Sequence, residues 1–260
     1  MSDAYLDLVE KTLSEVLPAF RPAVLSEAMR YAVGTGGKRI RPLVCLASAV
    51  AVGGKAEDAK YPAAAIELLH NYTLIHDDLP AMDNDRERRG KPTVWVKFGE
   101  ANAILAGDAL QALAFRVAAD APRNAAAVVA ALGDRGVGVV AGQVEDVARE
   151  DASRPLDAES VDFVYAHKTA DLFVAAAQMG ALAGGGDAAS VAKLGAYAFH
   201  LGLAFQYEDD LLDGDGLCSR EETERRAKET TAAAIAALDR LPGDTAFLRD
   251  LAAKLIGRTV

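Results

Sequence analysis

Cysteine, histidine and tryptophan are all scarce in this chain, and their scarcity excludes several kinds of protein. The 260 residues include two cysteines, four histidines and one tryptophan. Cys45 and Cys218 match no metal-binding or redox spacing, so we expect neither a zinc site nor a disulfide framework, and a reducing intracellular setting. His76 followed by Asp77 could begin a phosphohydrolase metal site, but four histidines are too few to complete the usual ligand set.

A net positive charge is also missing, and we expect neither a leader segment nor a membrane-spanning apolar run. The net charge is -10 and the isoelectric point about 4.9, which argues against nucleic acid and anionic membranes as partners. Residues 1–5 lack the basic start of a signal peptide. No apolar run reaches the roughly 20 residues of a spanning helix. We therefore expect a cytoplasmic protein without a membrane span, whose pocket can still bind a small anion.

Apolar residues recur at three- and four-residue intervals, and no segment alternates as a strand would. Hydrophobic residues make up 51% of the chain, enough for one large core. The pattern predicts an all-α, single-domain helical bundle over residues 1–260. The predicted helices span residues 6–17, 23–33, 42–52, 62–78, 100–120, 124–132, 138–150, 158–182, 188–212, 221–241 and 245–256.

The sequence EDDLLD at residues 208–213 ends a strongly apolar predicted helix. Asp209 and Asp213 are four residues apart, about 40° on one helical face, so both can reach one metal ion. Gln206 lies one turn earlier on a similar face. A solvated helix end is the plain alternative, but carboxylates at a helix C-terminus oppose the helix dipole. This sign favours a bound cation.

The sequence DDLPAMD at residues 77–83 forms a second carboxylate cluster. Pro80 cannot continue a helix, so Asp77 and Asp78 should end one and Asp83 should return through a loop. At about 5 Å and an effective dielectric of about 20, each like-charge pair costs on the order of 3 kcal/mol. Such an arrangement suits Mg²⁺, which combines a few carboxylates with water and phosphate oxygens.

Basic residues near the two clusters suit a substrate that carries phosphate groups. Arg88 and Arg89 are adjacent and must point in different directions, so each can serve a different phosphate, although an exposed loop is the plain alternative. The loop GGKRIRP at residues 36–42 is not a Walker sequence, yet Lys38 and Arg41 can converge on one diphosphate. Lys168 lies inside a predicted helix, either extending to solvent or facing a cavity.

Together these motifs resemble the trans-isoprenyl diphosphate synthase (polyprenyl synthetase) family, most closely its bacterial farnesyl diphosphate synthases. The resemblance covers most of the chain, through residues 36–42, 70–83, 88–93, 98–110, 168–169 and 205–213. It implies an isoprenoid synthase fold, with helices around a deep central cavity, and a homodimer.

The resemblance also implies a role for each motif residue. Mg²⁺, three ions per active site, would be held with substrate diphosphate by six aspartates: Asp77, Asp78, Asp83, Asp209, Asp210 and Asp213. Arg88 would contact the allylic diphosphate. Isopentenyl diphosphate would be held by four residues: Lys38, Arg41, His70 and Arg89. The reacting centre would be lined by Lys168, Thr169 and Gln206.

The implied reaction joins isopentenyl diphosphate to dimethylallyl or geranyl diphosphate by ionisation, condensation and elimination. Tyr72 and Thr73, five and four residues before Asp77, would form the floor under the growing chain. A tyrosine there and the two extra residues within the first motif favour the C15 product, farnesyl diphosphate. Geranylgeranyl diphosphate synthase is the alternative, and a non-catalytic subunit of the same fold is another.

The sequence departs from the family after Asp213. The family usually continues with a glycine-rich loop and lysines that contact diphosphate, whereas Gly216 here is followed directly by Leu217. Either this protein lacks the loop, or a stretch of the natural chain is missing from the sequence. If the deletion is real, the lysines that contact diphosphate are absent, and full activity is less expected.

Overall fold

The computed structural model describes residues 2–19, 21–149, 158–214 and 219–254. These residues confirm the predicted all-α class. The α-helices are α1 Ser2–Val16, α2 Ala23–Gly34, α3 Ile40–Ala51, α4 Lys60–Asp77, α5 Val94–Phe98, α6 Glu100–Ala118, α7 Ala125–Arg149, α8 Ala158–Val164, α9 Asp171–Ala183, α10 Ala188–Asp213, α11 Arg220–Ala237 and α12 Ala246–Ala253. A short 3₁₀ helix, Ala56–Ala59, precedes α4.

Helix α7 is continuous where the sequence predicted two helices, 124–132 and 138–150. Gly133, Gly136 and Gly138 lie in and beside the predicted gap. A glycine inside a helix costs only about 1 kcal/mol relative to alanine. The packing of α7 against α9 compensates for these glycines, so the predicted break was wrong.

The helix predicted over residues 158–182 changes its winding. Between α8 and α9, residues Tyr165–Ala170 form a π-helical segment, which we call the π-turn. A π-helical turn is rare and is found mostly at functional sites. Lys168 and Thr169 both lie in the π-turn, so its position decides where these two side chains point.

A two-residue hairpin interrupts the helices where the sequence predicted no strand. Strand β1, Glu87–Arg88, pairs antiparallel with β2, Lys91–Pro92. The connecting residues Arg89 and Gly90 both have positive φ, 56° and 73°, as tight hairpin turns require. Arg88 therefore lies on a strand and Arg89 in the turn, which gives the adjacent arginines different directions.

The hydrophobic core joins side chains from both ends of the chain, from Val9 in α1 to Leu248 in α12.

Among the described residues, two helices, Ala125–Ala148 and Ala188–Leu212, are long and apolar enough to cross a membrane by length and composition, which the sequence analysis did not expect. Length and composition do not separate a spanning helix from a core helix of a bundle. Helix α10 pairs closely with α11 and α9.

Arg39, just before α3, is a buried anchor for the basic loop. Its side chain donates to Glu10 and Glu67 at 2.7 Å each and to the carbonyl of Val33 at 2.7 Å. Arg39 and Glu67 are both almost fully buried. The guanidinium is thus fully engaged in the protein, and its neighbour Arg41 is left to face the cavity.

Replacing Arg39 by alanine should lower the free energy of unfolding by about 3–5 kcal/mol, because Glu67 would keep a buried charge without its counter-ion. Urea unfolding measures the change. The control is Lys11→Ala, which breaks an exposed pair with Glu15 and should change stability by less than about 0.5 kcal/mol. Equal effects of the two substitutions would show that the buried pair adds nothing.

Candidate active site

A cavity of about 600 Å³, the main cavity, lies between α4, α7 and the π-turn. One part of its wall is polar and carries Arg41, His70, Asp77, Lys168 and Thr169. The rest is mostly apolar and includes the side chains of Leu74, Leu79, Met82, Val139, Val140, Val144, Val147 and Leu172. A long apolar molecule with a charged head group matches this division.

The first carboxylate cluster has the predicted backbone course. Helix α4 ends at Asp77, the chain turns at Pro80, and the amide of Asp83 donates to the carbonyl of Asp77 at 2.9 Å. Burial raises the pKa of Asp77 to about 6, and the nearby Asp83 carboxylate adds to the shift while Lys168 opposes it. Burial also raises the pKa of Asp83. A cation near both would relieve this cost.

Asp78 differs from its neighbour because it is engaged by the protein. Its side chain is buried, and Oδ1 accepts from Nε and Nη2 of Arg88 at 2.7 Å each. Arg88 also contacts Asp85 at 3.3 Å. The structure therefore joins Asp78 and Arg88, both predicted site residues, in an ion pair. Of the adjacent aspartates Asp77 and Asp78, Asp77 is the one that lines the main cavity.

Arg41 and His70 form a polar contact in the wall of the main cavity. Nη1 of Arg41 lies 3.3 Å from Nε2 of His70, and its guanidinium stacks 4.6 Å from the ring centre of Phe173. Burial, and then the charge of Arg41, hold the pKa of His70 well below its usual range. Burial likewise lowers the pKa of Arg41 to about 10. Since arginine only donates, Nε2 of His70 must accept.

Arg89 adds a further cation beside this contact. Its guanidinium packs on the loop before α3 and donates to the carbonyl of Gly36. Burial lowers its pKa, and its charge also lowers the pKa values of Arg41 and His70. Lys38, on the same loop, is exposed. Arginines held this close repel one another, so an anion with several oxygens would bind them favourably.

The π-turn links the two predicted carboxylate clusters. Nζ of Lys168 donates to Asp146 at 2.5 Å, and its charge also acts on Asp77 and Asp83. Oγ1 of Thr169 donates to Oε1 of Gln206 at 3.0 Å. The three predicted residues of the reacting centre thus share one region of the structure.

The second cluster also contains a buried aspartate that the protein engages. Asp210 is buried and accepts from Tyr165 at 2.5 Å and from Gln206 at 3.2 Å. Asp209 is partly exposed. The side chain of Asp213, and the departure at Gly216 and Leu217, lie outside the described residues.

No three acidic, histidine or cysteine side chains of the described residues form a ready metal cluster. The predicted aspartates whose side chains the structure describes are therefore not assembled as a closed cage of protein ligands.

Sequence reasoning missed two polar residues of α7. Asp146 pairs with Lys168, and Gln143 lines the main cavity with a buried Nε2 that has no partner among the described residues. The two are three residues apart and share a helical face. That spacing, on a helix otherwise rich in valine and alanine, was the signal available.

The family profile for polyprenyl synthetase matches residues 22–250. The chain belongs to the polyprenyl synthetase family. Among solved structures, an FPP/GFPP synthase from Zymomonas mobilis is 35% identical, with a TM-score of 0.89 over 98% of this chain and 100% of the other. A geranylgeranyl pyrophosphate synthetase from Pyrococcus horikoshii is 30% identical, with a TM-score of 0.90 over 98% and 96%.

Relatives of this chain include plant proteins. This chain is 43% identical over 217 residues to the large subunit 1 of a heterodimeric geranylgeranyl pyrophosphate synthase of Arabidopsis thaliana. The matched region covers 80% of this chain and 58% of the relative. A geranylgeranyl pyrophosphate synthase of Capsicum annuum is 44% identical, over 79% of this chain and 57% of the relative. The match thus spans little more than half the length of these relatives.

Replacing Arg41 by methionine should weaken the binding of inorganic diphosphate roughly 10- to 100-fold, because a buried charge-assisted contact with the anion contributes about 1.5–3 kcal/mol. Isothermal titration calorimetry measures the affinity. Lys60→Met is the matched control, since Lys60 also stacks on an aromatic ring, that of Tyr61, but outside the main cavity. Unchanged affinity in the Arg41 variant would exclude this residue from the diphosphate site.

Proposed function

We propose that this protein is a Mg²⁺-dependent prenyltransferase that joins isopentenyl diphosphate to dimethylallyl or geranyl diphosphate and releases farnesyl diphosphate. The main cavity is the observation that carries the proposal. It combines an apolar wall with Arg41, His70 and Asp77 at its polar part. An isoprenoid diphosphate has the same two parts, an apolar chain and a multiply charged head.

Isopentenyl diphosphate would bind at the basic loop. The charge of Arg89 lowers the pKa of Arg41, and the neutral His70 adds a polar ring. Lys38 would reach the same diphosphate from the exposed part of the loop. Arg88 would contact the allylic diphosphate, and this requires the guanidinium to share its pairing with Asp78.

Mg²⁺ would be held by aspartate carboxylates and by substrate oxygens. Asp77, which lines the main cavity, and Asp83 would contribute from one side, and Asp146 of α7 pairs with Lys168 and acts electrostatically on Asp83. Asp209, Asp210 and Asp213 would contribute from α10, and Asp78 would contribute by sharing its pairing with Arg88. When bound, the metal neutralises charge on the departing diphosphate, so that the allylic C–O bond can ionise.

The residues of the π-turn would stabilise the carbocation and exclude water from it. The hydroxyl of Thr169 and the amide of Gln206 are already joined at 3.0 Å. Their dipoles, with the carbonyl groups of the π-turn, offer negative ends to a positive carbon. The double bond of isopentenyl diphosphate would then attack, and the released diphosphate would take the proton lost.

Product length would be set by Tyr72 and Thr73. Both residues line the main cavity and also a smaller space of about 190 Å³, the side cavity, which reaches Gln111 and Phe115. They therefore stand between the two spaces. A full-sized tyrosine at this point favours the C15 product. The plant relatives named as geranylgeranyl synthases favour C20 instead.

A second copy of the chain is the proposed partner. Ile104 and Leu105 of α6 are large apolar side chains that remain exposed and do not line the main cavity or the side cavity. Adjacent exposed apolar groups of this kind are typical of a protein interface. A heterodimer is the alternative that the Arabidopsis relative suggests, and a cytoplasmic location stays a prediction from sequence.

Purified protein with Mg²⁺, isopentenyl diphosphate and geranyl diphosphate should release a C15 product, which chromatography of the dephosphorylated prenols would size. Chelation by EDTA should abolish the product, and added Mg²⁺ should restore it. A C20 product would favour the geranylgeranyl alternative. Absence of any condensation would contradict the proposed activity and favour a non-catalytic subunit.

Replacing Tyr72 by alanine should lengthen the product by at least one C5 unit, because the main cavity and the side cavity would merge. Product sizing by chromatography measures the change. Tyr72→Phe is the matched control, since it keeps the ring and loses only the hydroxyl, and its product should stay C15. An unchanged product from Tyr72→Ala would mean that the floor lies elsewhere.

Replacing Leu105 by glutamate should shift the protein from dimer toward monomer, because a charge would be buried in the proposed interface. Light scattering after size-exclusion chromatography measures the mass. Leu6→Glu changes another exposed leucine, in α1, and should leave the dimer intact. A wild-type protein of monomer mass would refute the proposed homodimer.

A further inference from the structure

The π-turn is a thin wall between two cavities. Lys168, Thr169 and Leu172 line the main cavity. His167 and Asp171 instead line a polar space of about 360 Å³ on the other side, which we call the outer cavity. Neighbouring residues 167 and 168 thus face opposite sides. Any movement of the wall from the outer side would displace the two polar groups that face the main cavity.

Two glycines of α7 allow the π-turn and the start of α9 to pack closely against this helix. Gly138 and Gly142 are four residues apart and so share a helical face. A Cβ atom on Gly142 would lie 2.3 Å from the backbone nitrogen of Lys168, and one on Gly138 would lie 2.0 Å from Oδ2 of Asp171. The π-turn therefore packs by its backbone directly against α7, without intervening side chains.

Asp171, the first residue of α9, links α9 to α7 and to the π-turn beside these glycines. Its Oδ1 accepts from Nη1 of Arg135 in α7 at 2.7 Å, and its Oδ2 accepts from Nδ1 of His167 in the π-turn at 2.8 Å. The carboxylate is 3% exposed, whereas the arginine and histidine are each about one-third exposed. A buried carboxylate with a charged donor on one oxygen and an imidazole on the other is strongly fixed.

We propose that Asp171 is a positioning residue, which clamps the π-turn to α7 so that Lys168 and Thr169 stay aimed at the reacting centre. The inference rests on the proposed prenyltransferase function. It goes beyond that function because Asp171, Arg135 and His167 line the outer cavity and do not line the main one.

Loss of the clamp has a chemical signature of its own. When Thr169 and Lys168 are displaced, water gains access to the carbocation. The allylic C–O bond still breaks and diphosphate leaves, but the water oxygen forms the new bond and a proton passes to solvent. The products are then a prenyl alcohol and inorganic diphosphate rather than the elongated chain.

The test compares Asp171→Ala and Asp171→Asn with a matched control, Asp239→Ala. Asp239 also pairs with an arginine, Arg249, at 2.7 Å, and that arginine has the same 37% exposure as Arg135. Asp239 follows α11 in the sequence and lines neither the main cavity nor the outer cavity. Steady-state kinetics, alcohol release and backbone hydrogen exchange are measured for all three variants and for the wild type.

In Asp171→Ala, kcat should fall by about 10- to 100-fold, the range that a small misplacement of reacting groups produces. KM for both substrates should change by less than about threefold. The fraction of allylic substrate released as alcohol should rise. Asp171→Asn keeps the shape and one acceptor oxygen and should recover most of kcat, and Asp239→Ala should match the wild type.

Hydrogen exchange separates this inference from the proposed function, because it needs no substrate. Amides of residues 165–170 should exchange at least roughly tenfold faster in Asp171→Ala, with α4 and α10 unchanged. Faster exchange in Asp171→Ala, together with a wild type that performs no condensation, would refute only the proposed activity and leave the clamp in place. Unchanged exchange, or an unchanged kcat in Asp171→Ala, would overturn the clamp.

Asp171→Ala could fail to fold, and Arg135→Met then provides the same test from the exposed partner. It removes the α7 end of the clamp and leaves the carboxylate hydrogen-bonded to His167. The same losses in kcat and protection are expected, at smaller size. A lower melting temperature with normal kcat and normal exchange at residues 165–170 would show a purely structural role.

Discussion

The burial of ionised groups around one cavity is the constraint on which the rest of the structure depends. Carboxylates end α4 and α10, and cations cluster at the start of α3, so each set raises the energy of its own members. In each aspartate pair one member is engaged by the protein: Arg88 forms an ion pair with Asp78, and the hydroxyl of Tyr165 donates a hydrogen bond to Asp210. Asp77 instead lines the main cavity, where burial raises the pKa of its carboxyl, so a cation that entered the cavity there would be favoured.

Sequence patterns predicted most of the helices because their signals are local. Pro80 ends α4 at Asp77, and apolar periodicity gave α10 nearly to its ends. Three features had no such signal. Continuity of α7 depends on packing that outweighs its glycines, the hairpin at Arg89 is too short to alternate, and the π-turn changes winding without a marker residue.

The candidate site was predictable where residues repeat a family pattern and not where partners are chosen by packing. The positions of Asp77, Arg41 and Lys168 along the cavity follow from the motifs. Pairing of Asp78 with Arg88 and of Lys168 with Asp146 depends on how α4, the hairpin and α7 meet in space. The spacing of Gln143 and Asp146 marks a polar face of α7 but does not name the partner of Asp146, and for that reason its pairing with Lys168 was missed.

Tyr72 lies on the wall shared by two spaces, whereas Arg41 lines only the main one. Under the proposed roles, diphosphate binding and the size limit belong to different side chains, and a substitution at the wall would change product length without removing the groups that bind diphosphate. Product length would then diverge through single substitutions in α4. Overall identity to geranylgeranyl or farnesyl synthases would be a poor guide to product length, because the distinction would occupy only a few side chains.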